Sequence, residues 1–246
     1  MIHLRPLRIL YLHPTYAFGG AEKTSLNLLS VLNRERFQVT LVTSRTLSPR
    51  FSSLPLEKII HMEDLGMDVW FGGMKSLWKN VKIIAGLVAK EKPDIAFGMM
   101  HYSATILTLA KKFYRLKTRV ISSPRGPSTY YLKSCFETRS ERLRHRILFS
   151  LFCRWSDGIV VPSTGTKDDC VKNFGSRPES IRVINNSLDT DEVRKKSGEI
   201  PDLFFSQDEL LISTAGRLSM EKNIPFLLTA FSLLRSKEKV KLLVIG

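Results

Sequence analysis

Short apolar runs recur along this chain, and stretches with helical spacing separate them. The runs are Leu7–His13, Phe37–Thr43, Asp94–Met99, Thr118–Ser122, Gly158–Val161, Ile181–Ile184, Leu210–Thr214 and Val240–Ile245. Most are near-continuous in apolar residues rather than alternating with polar ones. A strand wetted on one face alternates; a strand buried on both faces does not, and double burial belongs to parallel sheets covered by helices. Between the first two runs, Ala21, Ser25, Leu28, Leu29 and Leu32 fall on one helical face. A second helix reads from Thr166 to Phe174, with Thr166 and Asp169 as a capping box and Gly175 as its stop. This order predicts α/β architecture built on a doubly wound, Rossmann-like parallel sheet.

The rhythm breaks between Leu188 and Gln207, a polar stretch containing Gly198 and Pro201 that reads as a linker. Beyond it come one strand, one helix over about Pro225–Leu234 and one more strand, ending at Gly246. The expected organisation is an N-terminal domain over 1–195, a linker over 196–207 and the first βαβ unit of a second Rossmann-like domain over 208–246. One βαβ unit has two sheet faces and a single helix to cover them, so the second domain is expected to be C-terminally truncated.

Lysine and arginine number 38 against 23 aspartate and glutamate, a formal net charge of +15. So basic a chain favours anionic partners: nucleic acid, phosphorylated small molecules or an anionic lipid surface. Cys135, Cys153 and Cys170 are odd in number and too far apart for a CxxC pair. They point to a reducing compartment without a disulfide framework or zinc site. No apolar stretch approaches the ~20 residues of a membrane span, and the N-terminal apolar run is too short for a secretory signal. The expected location is cytoplasmic, extending to a peripheral position at the inner face of the membrane.

Two strand-to-helix loops carry chemistry. The first strand runs through His13 into Gly19-Gly20-Ala21-Glu22-Lys23 and then a helix. Glycines ahead of a helix N-terminus let an anionic group approach free N–H donors, and the helix dipole favours a phosphate there. A tight turn explains two glycines as well, and the GxGxxG dinucleotide pattern is absent. The second loop is Gly216-Arg217-Leu218-Ser219-Met220-Glu221-Lys222-Asn223. Arg217 can fork onto two phosphate oxygens and Lys222 adds a compact charge, although Glu221 could pair with either as a surface salt bridge.

These motifs carry a resemblance. The Gly19-Gly20-Ala21-Glu22 segment, the stretch Val183-Ile184-Asn185-Asn186-Ser187-Leu188-Asp189, and Gly216-Arg217-Leu218 followed by Glu221-Lys222-Asn223 resemble glycosyltransferase family 4 in order and spacing. The resemblance covers essentially the whole chain. It implies a GT-B-like fold of two Rossmann-like domains. It also implies a retaining transferase that takes a nucleotide-diphospho-sugar, UDP-linked, and needs neither metal nor bound cofactor. By the same resemblance, Gly19, Gly20, Arg217 and Lys222 would bind the donor diphosphate. The acceptor would be a saccharide or a lipid-linked saccharide in cell-surface glycan synthesis.

The chain departs from the family at three points. It ends before the family's segment with two glutamates. It reads Asn185-Asn186-Ser187 where Pro-Asn-Gly is common. Where many members carry a histidine, it has Ser122-Ser123-Pro124-Arg125-Gly126-Pro127, which looks more like the subgroup that extends lipid-linked or capsular saccharides. Arg125 is therefore a candidate for acceptor or phosphate contact. The catalytic residue stays unassigned; His101, just past a strand end, is a candidate for orienting an acceptor hydroxyl, and His13 and Glu22 are further acceptor-side candidates. The Asp189-Thr190-Asp191 string matches a metal-binding motif of another transferase fold, but its place in the linker speaks against a metal.

Residues 138–155 set Leu143, Ile147, Leu148, Leu151, Phe152 and Trp155 as an apolar stripe among five arginines, with Glu141 the sole acid. Such a helix can lie on an anionic membrane surface, or it can pack its stripe on the sheet and solvate its arginines. Two alternatives to a transferase remain: a nucleotide-sugar epimerase of GT-B-like fold, and a non-enzymatic basic anion-binding module. A nucleic-acid partner is not expected, because aromatic and basic residues are not interleaved as in stacking platforms.

Overall fold

The computed structural model describes residues 5–13, 15, 18–68, 73–199, 210–216, 218, 222–235 and 239–246. They form two compact units that divide after Asp189. Unit one contains, in order, β1 (Leu7–His13), α1 (Gly20–Ser30), β2 (Phe37–Thr43), α2 (Ser48–Phe51), β3 (Lys58–His61), α3 (Met74–Glu91), β4 (Ile95–Met99) and α4 (Met100–Phe113). It continues through β5 (Arg119–Ser123), α5 (Ser128–Cys135), α6 (Arg139–Trp155), β6 (Gly158–Val161), α7 (Thr164–Phe174) and β7 (Ile181–Val183). All its strand pairs are parallel, in the order β3-β2-β1-β4-β5-β6-β7. The chain starts in the middle, winds outward to β3, returns through α3 to β4 and winds the other way. The reversal leaves a switch point between β1 and β4.

Successive residues of β1 show why the strands lack alternation. Leu10 and Leu12 pack into the larger core beneath α3, α4, α6 and α7. Tyr11 between them joins Leu29 of α1 and Phe51 of α2 on the opposite face. Both sides of each pleat are apolar because both are covered. On the larger-core side, α4 lies so close to β4 that a Cβ at Gly98 would sit 2.9 Å from the Ala104 backbone nitrogen and 3.0 Å from the Ser103 carbonyl carbon.

Several boundaries differ from the sequence reading. β3 was not expected; it is a four-residue edge strand with no buried residue, with lysine and histidine at its ends. The helix expected from Thr166 begins two residues earlier. Ser163 is its N-cap, its Oγ accepting from the Thr166 backbone N–H at 3.2 Å, so Thr166 is not the cap. Asp169 accepts instead from the Thr129 backbone N–H and hydroxyl, tying α7 to α5. The polar stretch taken for pure linker contains α8 (Thr190–Ser197), which groups with the second unit, so the first unit ends six residues before the expected boundary at 195. The expected linker residues 200–207 lie outside the described residues.

The second unit continues with β8 (Leu210–Ala215), α9 (Ile224–Arg235) and β9 (Val240–Ile245), the two strands pairing in parallel. Phe226, Leu228 and Leu233 of α9 and Leu210 of β8 are exposed.

His101, the second residue of α4, is 3% exposed. Its ring stacks on Tyr131 at 4.5 Å and lies 4.8 Å from Phe149 and 6.0 Å from Phe152, while Nε2 meets the Ser128 hydroxyl at 2.9 Å. Burial pushes its pKa down to about 4, against an opposing pull from Asp169.

Two predictions follow from this packing. Gly98→Ala forces backbone against backbone and should cost about 1–3 kcal/mol, read as a lower midpoint in urea unfolding. The second concerns pH. His101 is neutral in the folded state down to about pH 4, whereas an unfolded histidine protonates near 6.5. Between these values the unfolded state binds more protons, so its contribution is complete above pH ~6.5 and is lost as pH falls, by about 1.4 kcal/mol per unit. Urea titrations at pH 7, 6 and 5 should show this decline, and it should be shallower in His101→Phe.

Candidate functional site

Parallel strands deliver every strand-to-helix loop to one edge of the sheet, and ligands of open α/β sheets bind at the switch point on that edge. Here the edge is formed by the ends of β1, β4 and β5. β1 leads to Gly19, the N-cap of α1, whose backbone is extended and whose side-chain cap is absent. Among the described residues, apart from its chain neighbours and its own helix backbone, no heavy atom lies within 4 Å of a Cβ placed on Gly20, which leaves room there for an approaching group. At the end of β4 the chain turns directly into α4 through Met100, which holds φ at 69°. A bulky residue there is a strained conformation, of the kind that collects at functional edges.

Beneath the glycines runs a buried polar chain. The Tyr11 hydroxyl meets Ser25 Oγ at 2.9 Å, Ser25 Oγ meets His13 Nδ1 at 3.0 Å, and His13 Nε2 lies 3.3 Å from Glu22 Oε1. The last approach is off the line of a good hydrogen bond, leaving Nε2 otherwise unpartnered. Ser25 Oγ also donates to the Ala21 carbonyl oxygen at 3.1 Å. Burial pushes the Glu22 carboxyl up, but His13 and the backbone N–H groups of Glu22 and Gly19 together hold it below the usual carboxylate range. The same carboxylate thus grips the Gly19 backbone. Burial also pushes Tyr11 up to about 12, with Ser25 opposing.

Arg125 follows β5 and is partly buried. One of its nitrogens donates to the Ser123 hydroxyl at 3.2 Å and another to the Asn186 side-chain oxygen. Among the described residues it forms no ion pair with a carboxylate. Burial pushes its pKa down, countered by Tyr11, yet a guanidinium remains charged. The Asn185-Asn186-Ser187 stretch leaves β7, at the far side of the sheet, and returns to this edge. Asn186 takes the bond from Arg125, and the Ser187 carbonyl accepts from Asn27 of α1 at 3.2 Å. The glycine helix start, Arg125 and this returning segment therefore converge on one edge.

The sequence-predicted residues sort by depth. Gly19, Gly20 and Arg125 line the edge. His13 and Glu22 lie at 0% and 4% exposure and face each other rather than the acceptor side. His101 is sealed among aromatic rings, with Nε2 engaged by the Ser128 hydroxyl, a geometry that suits packing rather than contact with an acceptor. In the second unit, Lys222 is exposed, and its Cε lies 3.3 Å from where a Cβ on Gly216 would stand, so its chain runs back over the end of β8. Arg217 and Glu221 lie outside the described residues. Sequence reasoning passed over Ser25, Tyr11 and Asn27. Ser25 had one signal, a hydroxyl on the otherwise apolar face of α1.

Comparison with known proteins shows the family and the fold. The Glycosyltransferase Family 4 profile matches residues 18–192. A Campylobacter jejuni N-acetylgalactosamine-N,N'-diacetylbacillosaminyl-diphospho-undecaprenol 4-alpha-N-acetylgalactosaminyltransferase is 26% identical over 243 residues, covering 93% of this chain and 59% of that protein. A Candida glabrata alpha-1,3/1,6-mannosyltransferase, ALG2, is 22% identical over all of this chain and 55% of its own length. The chain thus spans little more than half of these curated relatives. Anabaena Alr3699/HepE in complex with UDP and glucose superposes at a TM-score of 0.60 with 15% identity, over 98% of this chain and 70% of that one. A UDP-N-acetylglucosamine 2-epimerase superposes at 0.53 with 15% identity, over 97% of this chain and 63% of that one. Such likenesses show the fold, which is GT-B-like. With its profile matched from the glycine loop to α8, the chain belongs to glycosyltransferase family 4.

Proposed function

We propose that this chain supplies the acceptor-side domain and the start of the donor-side domain of a retaining glycosyltransferase. The enzyme would move a sugar from a UDP-linked donor to a hydroxyl of a saccharide or lipid-linked acceptor, at the cytoplasmic face of a membrane that residues 138–155 would meet. The observation that carries the reading is Arg125, a partly buried cation without a carboxylate partner among the described residues, held on the same edge as the open start of α1. A desolvated guanidinium with spare donors is a ready partner for a phosphate or an acceptor oxygen. The Campylobacter relative's diphospho-undecaprenol acceptor and the UDP in the Anabaena complex supply the substrate classes.

The chemistry asked of these residues is electrostatic. As the bond from sugar to diphosphate breaks, negative charge grows on the departing diphosphate. Donors already in place stabilise it without reorganisation. Gly19, Gly20, Arg217 and Lys222 would face that diphosphate, and Arg125 would hold the acceptor within reach of the sugar. The hydrogen bond from the Gly19 N–H to Glu22, with His13 packed against the same carboxylate, would keep the glycine loop in one position. The epimerase alternative needs open acid–base groups in the cleft, whereas His13, Glu22 and His101 are all buried here.

The reading is tested by joining the chain to the C-terminal part of a relative that its match does not cover. The product would then be assayed for transfer from labelled UDP-sugars to lipid-linked acceptors. Transfer with retained anomeric configuration is the expected result; a 2-epimerised nucleotide sugar with no transfer would select the epimerase. Arg217→Ala and Lys222→Ala should each lower transfer at subsaturating donor by about 10–150-fold, as for one charge-assisted bond of roughly 1.5–3 kcal/mol. Arg125→Ala should produce a loss of similar size in kcat/KM for acceptor.

A further inference from the structure

Helix α6 resolves the two readings its sequence left open by having two apolar sides. Leu148, Phe149, Phe152 and Cys153 are buried in the larger core. Leu143 and Ile147, one turn apart, point away from it and are 62% and 54% exposed. They face a groove of about 450 Å³ whose other walls are Met74 and Trp78 of α3 and Leu109 and Phe113 of α4. Trp78 and Phe113 meet edge to face at 4.9 Å within it, and both are exposed. An apolar groove shared by three helices on one face of a folded unit is an interaction surface rather than scattered surface carbon.

The charge around it selects the partner. Together α3, α4 and α6 carry eleven lysines and arginines against two glutamates. Arg144 stands on the groove wall. Next to it on α4 and α6, a second depression is bounded by Lys111, Lys112, Arg115 and Trp155, with the Lys112 ammonium 5.3 Å over the Trp155 ring. A second copy of this chain would bring the same positive field against its own, which disfavours a symmetric dimer. Basic side chains around exposed tryptophan, phenylalanine and leucine instead match an anionic bilayer, phosphates outside and acyl chains within. Among the described residues no helix is long and apolar enough to cross a membrane, so the contact is with the surface.

We propose that this three-helix groove is a docking surface for an anionic phospholipid bilayer, with Trp78, Phe113, Leu143 and Ile147 entering the acyl region and Lys112, Arg115 and Arg144 meeting lipid phosphates. The inference rests on the membrane-facing reading above and extends it from one helix to a composite surface.

The test uses the 246-residue chain itself and sedimentation with phosphatidylglycerol or phosphatidylcholine vesicles. Binding should be confined to phosphatidylglycerol and should weaken as salt is raised. The exposed triple variant Phe113→Ser/Leu143→Ser/Ile147→Ser should keep the wild-type circular dichroism and lose about tenfold or more of its vesicle binding. Independently of any variant's folding, phosphatidylglycerol with brominated acyl chains should quench the wild-type tryptophan fluorescence, and Trp78→Phe should reduce that quenching. Equal binding to both lipids, no binding, undiminished binding of the triple variant, or absence of quenching would each overturn the proposal. Self-association abolished by the triple variant, without lipid binding, would give the face to a second copy. Sugar transfer to a soluble acceptor is measured separately, so vesicle binding can fail while the transferase reading stands, and the reverse.

Discussion

A parallel sheet cannot keep one face wet, because its crossover connections lay helices over both. Most of the first unit follows from that constraint. Strand residues on both faces are apolar, helices must cover both faces, and every strand-to-helix loop emerges on one edge. The covering is tight enough that α4 touches β4 through the one position without a side chain, Gly98. It is also asymmetric. The face above Leu10 and Leu12 takes α3, α4, α6 and α7, whereas the face above Tyr11 takes α1 and the single turn of α2. The crowded face carries the basic groove, and the common edge carries the glycine loop and Arg125.

At that edge, buried charge does positional work. A glycine pair gives an incoming phosphate access to backbone N–H groups, but glycine is also the residue with most freedom to lose. Glu22 offsets this by holding the Gly19 N–H, and it stays ionised at low exposure only because His13 and those backbone donors outweigh its desolvation. His13 is fixed in turn through Ser25 and Tyr11. Removing His13 would leave the buried Glu22 carboxylate with one neighbour fewer to offset its desolvation. Depth therefore divides the proposed roles: Arg125 would meet a ligand, while His13 and Glu22 would keep the loop that meets it.

How much was legible in the sequence depends on whether local composition or distant packing decided each feature. β1, β2, β6 and β9 were readable to the residue, because each is an apolar run. β3 was not, since a short edge strand ending in lysine and histidine has no such run. The start of α7 was misplaced because Asp169, which resembles a capping partner of Thr166, is instead engaged by Thr129 from 40 residues away. The glycine loop and Arg125 were visible as loop chemistry. The fate of the histidines was not, because nothing near His101 in sequence indicates that Tyr131, Phe149 and Phe152 close around it. The return of Asn186 and Ser187 across the sheet edge was equally invisible, being set by Arg125 and Asn27, 61 and 160 residues earlier.

Helix α4 joins the candidate edge to the apolar groove. It begins at Met100 on the ligand edge and carries Leu109 and Phe113 into the apolar groove, so at a rise of about 1.5 Å per residue Leu109 stands only about 14 Å along the helix from that edge. An acceptor anchored in a bilayer cannot diffuse away from the surface; an enzyme docked through this groove searches for it in two dimensions instead of three. Charge and apolar contact act at different stages of that docking. The positive field of the three helices would raise the encounter rate and be screened by salt, whereas the apolar side chains, once among acyl chains, would slow departure and be less sensitive to salt. Docking of that kind would give a role to Leu143 and Ile147 of α6, which are exposed and do not cover the core. Their exposure is tolerable because the surrounding arginines keep the net charge high and oppose self-association.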